Sequence, residues 1–137
     1  MKTHAALIDK LDRRYAIRKI LKSIKRHKNV VAVIIFGSQA KGTATLMSDL
    51  DICVILDGNK TNKAGISAVG GDRIDISFFD ELPIYIRYRV FKEGIPLYIK
   101  DEAKFSGILA DTLSEFMDFR GVLDEYFRIA YGWKYEI

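Results

Sequence analysis

An α/β (α+β) fold, one β-sheet with helices packed against it, is predicted by three features of the 137-residue sequence. Two apolar runs, Val30 to Phe36 and Ile52 to Leu56, have the length and β-branched content of buried strands. Apolar residues recur at helical spacing on both flanks, over residues 5–27 and again from about Ala103 to Tyr131. Between the flanks, short strand-like runs alternate with one further helical stretch.

Each element has its own signal. Leu7, Leu11 and Tyr15, then Ile17, Ile20, Leu21 and Ile24, predict a docking helix with an irregularity near Tyr15. Strand one is expected at 30–36 and strand two at 50–56. Asp57-Gly58-Asn59-Lys60 is a turn by composition. Residues 58–71 are polar and glycine-bearing, and read as a loop or a weak edge strand. Arg73 to Phe79 reads as a third strand. Asp80 is a candidate cap for a helix after that strand, Pro83 suits a first helical turn, and Ile84, Tyr88 and Phe91 share a helical face ended by Gly94. Ile95 to Lys100 is a short strand, placed at an edge by Pro96.

The final segment poses a length problem. Some 29 helical residues would span about 43 Å, more than the ~30 Å width of a small domain. Either Gly121 divides the segment or its end projects towards a partner. Its stripe of Leu109, Leu113, Phe116, Leu123 and Phe127 is expected to pack on the core. Tyr126, Tyr131, Trp133 and Tyr135 would then face partly outward, as a contact surface.

Bulk composition narrows the class. Hydrophobic residues make up 49% of the chain, which predicts an ordered globule of one domain, residues 1–137. No apolar run approaches a membrane span and no signal-peptide pattern opens the chain, so a cytoplasmic protein is expected. The single cysteine, Cys53, excludes an internal disulfide and reads as a small core residue. The net charge of +4 is uneven: residues 1–30 hold ten Lys or Arg against Asp9 and Asp12. Such a segment is either a solvated helix face or a surface for nucleic acid or an acidic partner.

The chemistry concentrates between strands one and two. The chain there reads Gly37-Ser38-Gln39-Ala40-Lys41-Gly42, then Asp49-Leu50-Asp51 after ten residues from Ser38. A Gly-Ser turn leaving a strand brings backbone N–H groups against a phosphate, because glycine has no Cβ in the way. Asp49 and Asp51 alternate in a strand, so their side chains share a face. Asp75, between Ile74 and Ile76, points away from two apolar neighbours and can join them if strand three pairs with strand two. Asp72 is the competitor but follows Gly70-Gly71 and looks like a loop residue. Three clustered carboxylates repel unless cations lie between them, and suit two magnesium ions acting on a nucleoside triphosphate. Gly37 and Ser38 would hold phosphates, and Lys41 could add charge there.

These residues resemble the nucleotidyltransferase signature of the DNA polymerase β superfamily, over about residues 30–100. The resemblance implies a mixed sheet, Mg²⁺ dependence, and transfer of a nucleoside monophosphate from an NTP with release of pyrophosphate. Lys41 departs from the arginine that many relatives carry, which keeps the charge and loses bidentate geometry. Size and the added C-terminal helix are similar to the minimal nucleotidyltransferase (MNT) antitoxin of MNT–HEPN toxin–antitoxin pairs. That resemblance implies ATP as substrate and AMP transfer to a tyrosine of a HEPN-type ribonuclease partner. The single domain is expected to comprise a basic N-terminal helix (1–28), a catalytic core (30–100) and a helical extension (103–137). A homo-oligomer through the C-terminal helices is the second expected assembly, with nucleic acid less favoured as a partner. A small-molecule adenylyltransferase and a non-catalytic antitoxin acting by binding alone are the alternatives.

Overall fold

The computed structural model describes residues 4–37, 50–58, 63–71 and 73–132, with side chains from residue 14 onward. Ser38, Lys41, Asp49, Asp72, Trp133 and Tyr135 lie outside the described residues, as do the side chains of Leu7 and Leu11. The elements run α1 (His4–Ile24), β1 (Val30–Phe36), β2 (Leu50–Leu56), α2 (Lys63–Ser67) and β3 (Ile74–Phe78). A 3₁₀ turn (Phe79–Glu81), α3 (Ile84–Glu93), β4 (Ile95–Ile99) and α4 (Glu102–Tyr131) complete them. No helix among the described residues is long and apolar enough to cross a membrane.

The four strands form one mixed sheet in the order β3-β2-β1-β4. β1 pairs antiparallel with β2 and β4, and β2 pairs parallel with β3. β1 and β2 are the central strands, and their near-continuous Val and Ile content follows from burial on both faces. β4 takes the edge, as Pro96 requires, and the β1–β4 register slips between Val33 and Ile34 beside that proline.

Helices cover both faces of the sheet. On one face Ile20 and Ile24 of α1 and Ile66 of α2 pack on Val33, Ile35, Ile52 and Val54. On the other, Phe79, Val90 of α3 and Phe105 and Ile108 of α4 pack on Ala32, Ile34, Cys53 and Ile55. Alternation along β2 sorts its residues: Leu50, Ile52 and Val54 to the first layer, Cys53 and Ile55 to the second. Each Ile or Val so buried contributes roughly 1.5–3 kcal/mol.

Several expectations need correction. Helix α1 runs unbroken past Tyr15, whose ring is 70% exposed and belongs to the polar side of the helix. Residues 63–67 form a helix rather than a loop or edge strand, held by the fully buried Ile66. Five residues are too few to show a helical period. Asp80 does not cap α3; Pro83 occupies that position, while Asp80 pairs with Lys63 at 2.7 Å. Gly94 stops α3 in extended geometry and is needed for close approach: a Cβ there would stand 2.2 Å from the Val90 carbonyl oxygen.

Helix α4 is a single 30-residue element that Gly121 does not divide. An exposed glycine costs about 1 kcal/mol in a helix, less than the caps and long side chains around it supply. Asp101 accepts a hydrogen bond from the Lys104 amide at one end, and the Gly132 amide donates to the Arg128 carbonyl at the other. Its packed face centres on Phe105, Ile108, Thr112 and Phe116, so Leu113 turns outward at 42% exposure. Buried Thr112 donates its hydroxyl proton to the Ile108 carbonyl at 2.7 Å. Aromatic pairs seat α4 on α3: Phe91 with Phe105, Tyr88 with Phe116, and Tyr85 with Phe119.

Candidate active site

Register brings two of the three expected carboxylates together. Phe36, the last residue of β1, stands opposite Asp51. Asp51 is in turn matched with Asp75 across the parallel β2–β3 pair. Matched residues of neighbouring strands point to the same face and lie about one strand spacing, roughly 4.8 Å, apart. Asp51 is half-buried and Asp75 exposed, on the α3–α4 face. Behind them on the same face come Cys53 and Ser77, where the apolar layer begins. The acidic pair therefore stands at the rim of the core, with hydrophobic packing on one side.

Gly37 completes the described part of the site. Its φ is +74°, a left-handed turn directly after β1. A Cβ on Gly37 would stand 2.5 Å from Oδ2 of Asp51, so the Asp51 carboxylate lies against bare backbone. Any side chain here meets both the φ penalty and the carboxylate.

The third carboxylate, Asp49, and the phosphate-side candidates Ser38 and Lys41 lie outside the described residues. Among the described residues no three metal-ligating side chains cluster. Asp51 and Asp75 supply two hard oxygen donors side by side, the donor chemistry that Mg²⁺ takes. Asp75 forms no ion pair among the described residues.

Sequence reasoning missed Arg73. It is the one described non-glycine residue with positive φ, +65°, and its carbonyl accepts the Leu50 amide at 2.7 Å. Holding arginine in that region costs about 1–2 kcal/mol. The strained turn ties the start of β3 to the start of β2, and so sets Asp75 level with Asp51. Its only sequence signal is the Gly70-Gly71 pair ahead of it. Cys53, by contrast, is chemically quiet: burial first, and the negative charge of Asp80 second, push its thiol up to about 12.

Comparison with known proteins identifies the family. Residues 18–103, more than half of the chain, match the family described as polymerase beta, nucleotidyltransferase. A Methanocaldococcus jannaschii protein named as a protein adenylyltransferase is 35% identical over 63 residues. That match covers 46% of this chain and 51% of the relative, so the chain spans about half the length of the curated relative it matches. Among solved structures, a toxin–antitoxin crystal structure with AMP-PNP superposes with a TM-score of 0.63 at 20% identity, covering 76% of this chain and 89% of that one. The structure of a tri-AMPylated Shewanella oneidensis HEPN toxin with its MNT antitoxin gives 0.58 at 13% identity, over 82% and 90%. A nucleotidyltransferase from Sulfolobus solfataricus gives 0.55 at 22%, over 72% and 91%. At these identities the structural likeness is one of fold. The match over residues 18–103, a span that includes Gly37, Asp51 and Asp75, places this chain in the polymerase beta nucleotidyltransferase family.

Proposed function

We propose that this chain transfers AMP from ATP to a protein hydroxyl, a tyrosine of a HEPN-type toxin, and so acts as the antitoxin of a pair. The observation that carries the proposal is the matched position of Asp51 and Asp75 with the Gly37 backbone against the Asp51 carboxylate. Asp49, Asp51 and Asp75 are the residues that would hold Mg²⁺. When bound, the metal would neutralise phosphate charge and lower the pKa of the acceptor hydroxyl. Gly37, Ser38 and Lys41 would hold the β and γ phosphates. The acceptor oxygen bonds to the α-phosphorus, the bond from that phosphorus to the β-phosphate bridging oxygen breaks, and pyrophosphate leaves. Asp75, the more exposed carboxylate, takes the proton of the acceptor hydroxyl.

The partner assignment draws support from the solved toxin–antitoxin complexes that share this fold. In this proposal residues 30–100 are the catalytic core of a single unit, residues 1–28 a basic helix, and residues 103–137 the extension that meets the partner. The setting is the cytoplasm, where ATP and Mg²⁺ are plentiful. The test is direct. The neighbouring reading frame is first read for a HEPN-type protein; the chain is then incubated with ATP, Mg²⁺ and that protein, and intact masses are recorded. Gain of one or more AMP units on the partner, mapped to tyrosine, is expected. Absence of any adduct with both Mg²⁺ and Mn²⁺, while the two proteins still bind, would leave a purely steric antitoxin.

A further inference from the structure

Helix α1 turns Ile17, Ile20, Leu21 and Ile24 against the sheet, on the face away from Asp51 and Asp75. That orientation leaves Arg14, Tyr15, Arg18, Lys19, Lys22 and Lys25 on its outer side, all but Lys25 with nothing packed over them among the described partners. Among the described residues the charge there is unopposed. No Asp or Glu occurs between Asp12 and Asp49, and Arg14, Arg18, Lys19 and Lys22 form no ion pair among the described residues. Arg14, Arg18, Lys22 and Lys25 follow one another at intervals of four, four and three. They make a single stripe rising about 16 Å along the helix.

Two further observations narrow the partner. The ring of Tyr15 is 70% exposed in the middle of this basic arc, one turn from Arg18 and Lys19. A tyrosine ring exposed to this extent is open to stacking. On the other flank of the helix, bordered by Lys19, opens a cavity of about 310 Å³, its walls Ala16, Lys19, Ile20 and Ser23 of α1 with Val69, Gly71 and Ile74. Its volume falls in the range of small-ligand pockets. A polyanion of any kind would satisfy the charges. An exposed ring among those charges and a largely apolar cavity bordered by Lys19 also call for flat apolar groups spaced along the polyanion. A duplex hides its bases in the stack; a single strand offers them.

From these features we infer that the outer face of α1 is a binding surface for single-stranded nucleic acid. Arg14, Arg18, Lys22 and Lys25 lie along the phosphates, Tyr15 stacks on a base, and the cavity bordered by Lys19 receives another. The surface is on the opposite side of the sheet from the acidic pair. Binding here is therefore independent of nucleotidyl transfer and stands whether or not that activity is found.

The experiment is fluorescence anisotropy with labelled oligo(U), oligo(dT) and a duplex of equal length, titrated with the full chain between 50 and 300 mM salt (about the range over which phosphate contacts are screened). The single strands are expected to bind with a log–log salt slope near −3, about four phosphates at 0.7 each. Arg14→Ala/Arg18→Ala/Lys22→Ala should cut that slope by about 2. Tyr15→Ala should weaken single-strand binding roughly tenfold with the slope unchanged, and Tyr15→Trp should restore it. All these positions are exposed, so circular dichroism melting of each variant should match the parent. An Asp51→Asn/Asp75→Asn variant should bind the oligonucleotides as the parent does. Absence of binding at low salt would overturn the inference, as would binding unmoved by the triple substitution. Equal binding of the duplex with no effect of Tyr15→Ala would overturn it too, leaving a non-specific cationic face.

Discussion

Asp51 and Asp75 occupy matched positions on the only parallel strand pair among the described residues, one strand spacing apart on the same face. Like charges this close disfavour each other, and half-burial of Asp51 denies it part of the screening that water gives. In the proposed function the pair is a cation site. Asp51→Asn and Asp75→Asn should each abolish AMP transfer while leaving the fold intact. Without metal, Asp75→Asn should not melt below the parent, because it removes repulsion. Mg²⁺ at a hundred times its Kd should stabilise the parent by about 2.7 kcal/mol and each variant by much less. Scanning calorimetry with and without Mg²⁺ and ATP checks this. A parent melting temperature that metal does not move would defeat it.

Gly37→Ala probes the same site from the backbone side. The added methyl would fall 2.5 Å from Asp51 Oδ2, at a φ of +74° that alanine resists. The turn alone should cost about 1–2 kcal/mol. The larger effect should be on transfer, because relief of the clash moves the carboxylate off its position. Activity measured beside thermal stability separates the two. An alanine variant with parental turnover would show that Asp51 has no fixed place to keep.

How much of this was legible in sequence depended on which force decides each element. β1 and β2 fall at residues 30–36 and 50–56 as expected, because an apolar run with turns at both ends is visible locally. Pro96 likewise announced an edge, since a missing N–H is a property of the residue itself. The closeness of Asp75 to Asp51 was legible only conditionally, on the assumption that β3 pairs with β2, which it does in parallel. Tertiary effects were not legible. Ile66 anchors a five-residue helix that has no period to read, and Gly121 is tolerated inside α4 because both ends of that helix are capped. The strain at Arg73 left no mark, because positive φ depends on how β3 is tied to β2.

A bidentate ion pair joins α3 to α4 and gives the fold an acid dependence. Arg87 donates from Nη1 and Nη2 to the two oxygens of Glu115, both at 3.0 Å, and from Nε to the Leu82 carbonyl at 2.9 Å. The Arg87 hydrogen bond holds the Glu115 carboxyl below its ordinary value of 4.5. A carboxyl depressed on folding contributes stability that is present above 4.5 and fades as pH falls through the folded value. Glu115→Gln should therefore leave a shallower fall of melting temperature below that value than the parent shows. Because Glu115 is exposed, the difference near neutral pH should be small. Parallel acid melts for parent and variant would remove the ion pair from the account.

The far end of α4 is where a partner should be felt. Phe119 stacks with Tyr85 near the start of α3, and residues 120–131 continue about 18 Å further along the helix axis. Val122, Tyr126 and Ile129 succeed one another at intervals of four and three, so they form one stripe. Val122 and Ile129 are each 70% exposed and Tyr126 is exposed beside them. Apolar side chains left in water on an otherwise well-packed helix mark a contact surface more than a structural need. Val122→Glu/Ile129→Glu should therefore change the stability of the isolated chain by no more than about 0.5 kcal/mol. Binding to the HEPN-type partner, followed by sedimentation, should weaken tenfold or more. If the isolated chain sediments as a dimer that the double variant dissolves, the stripe joins two copies of this chain instead. A partner that binds the double variant as tightly as the parent would show that the complex forms elsewhere, and that the projecting helix serves neither assembly.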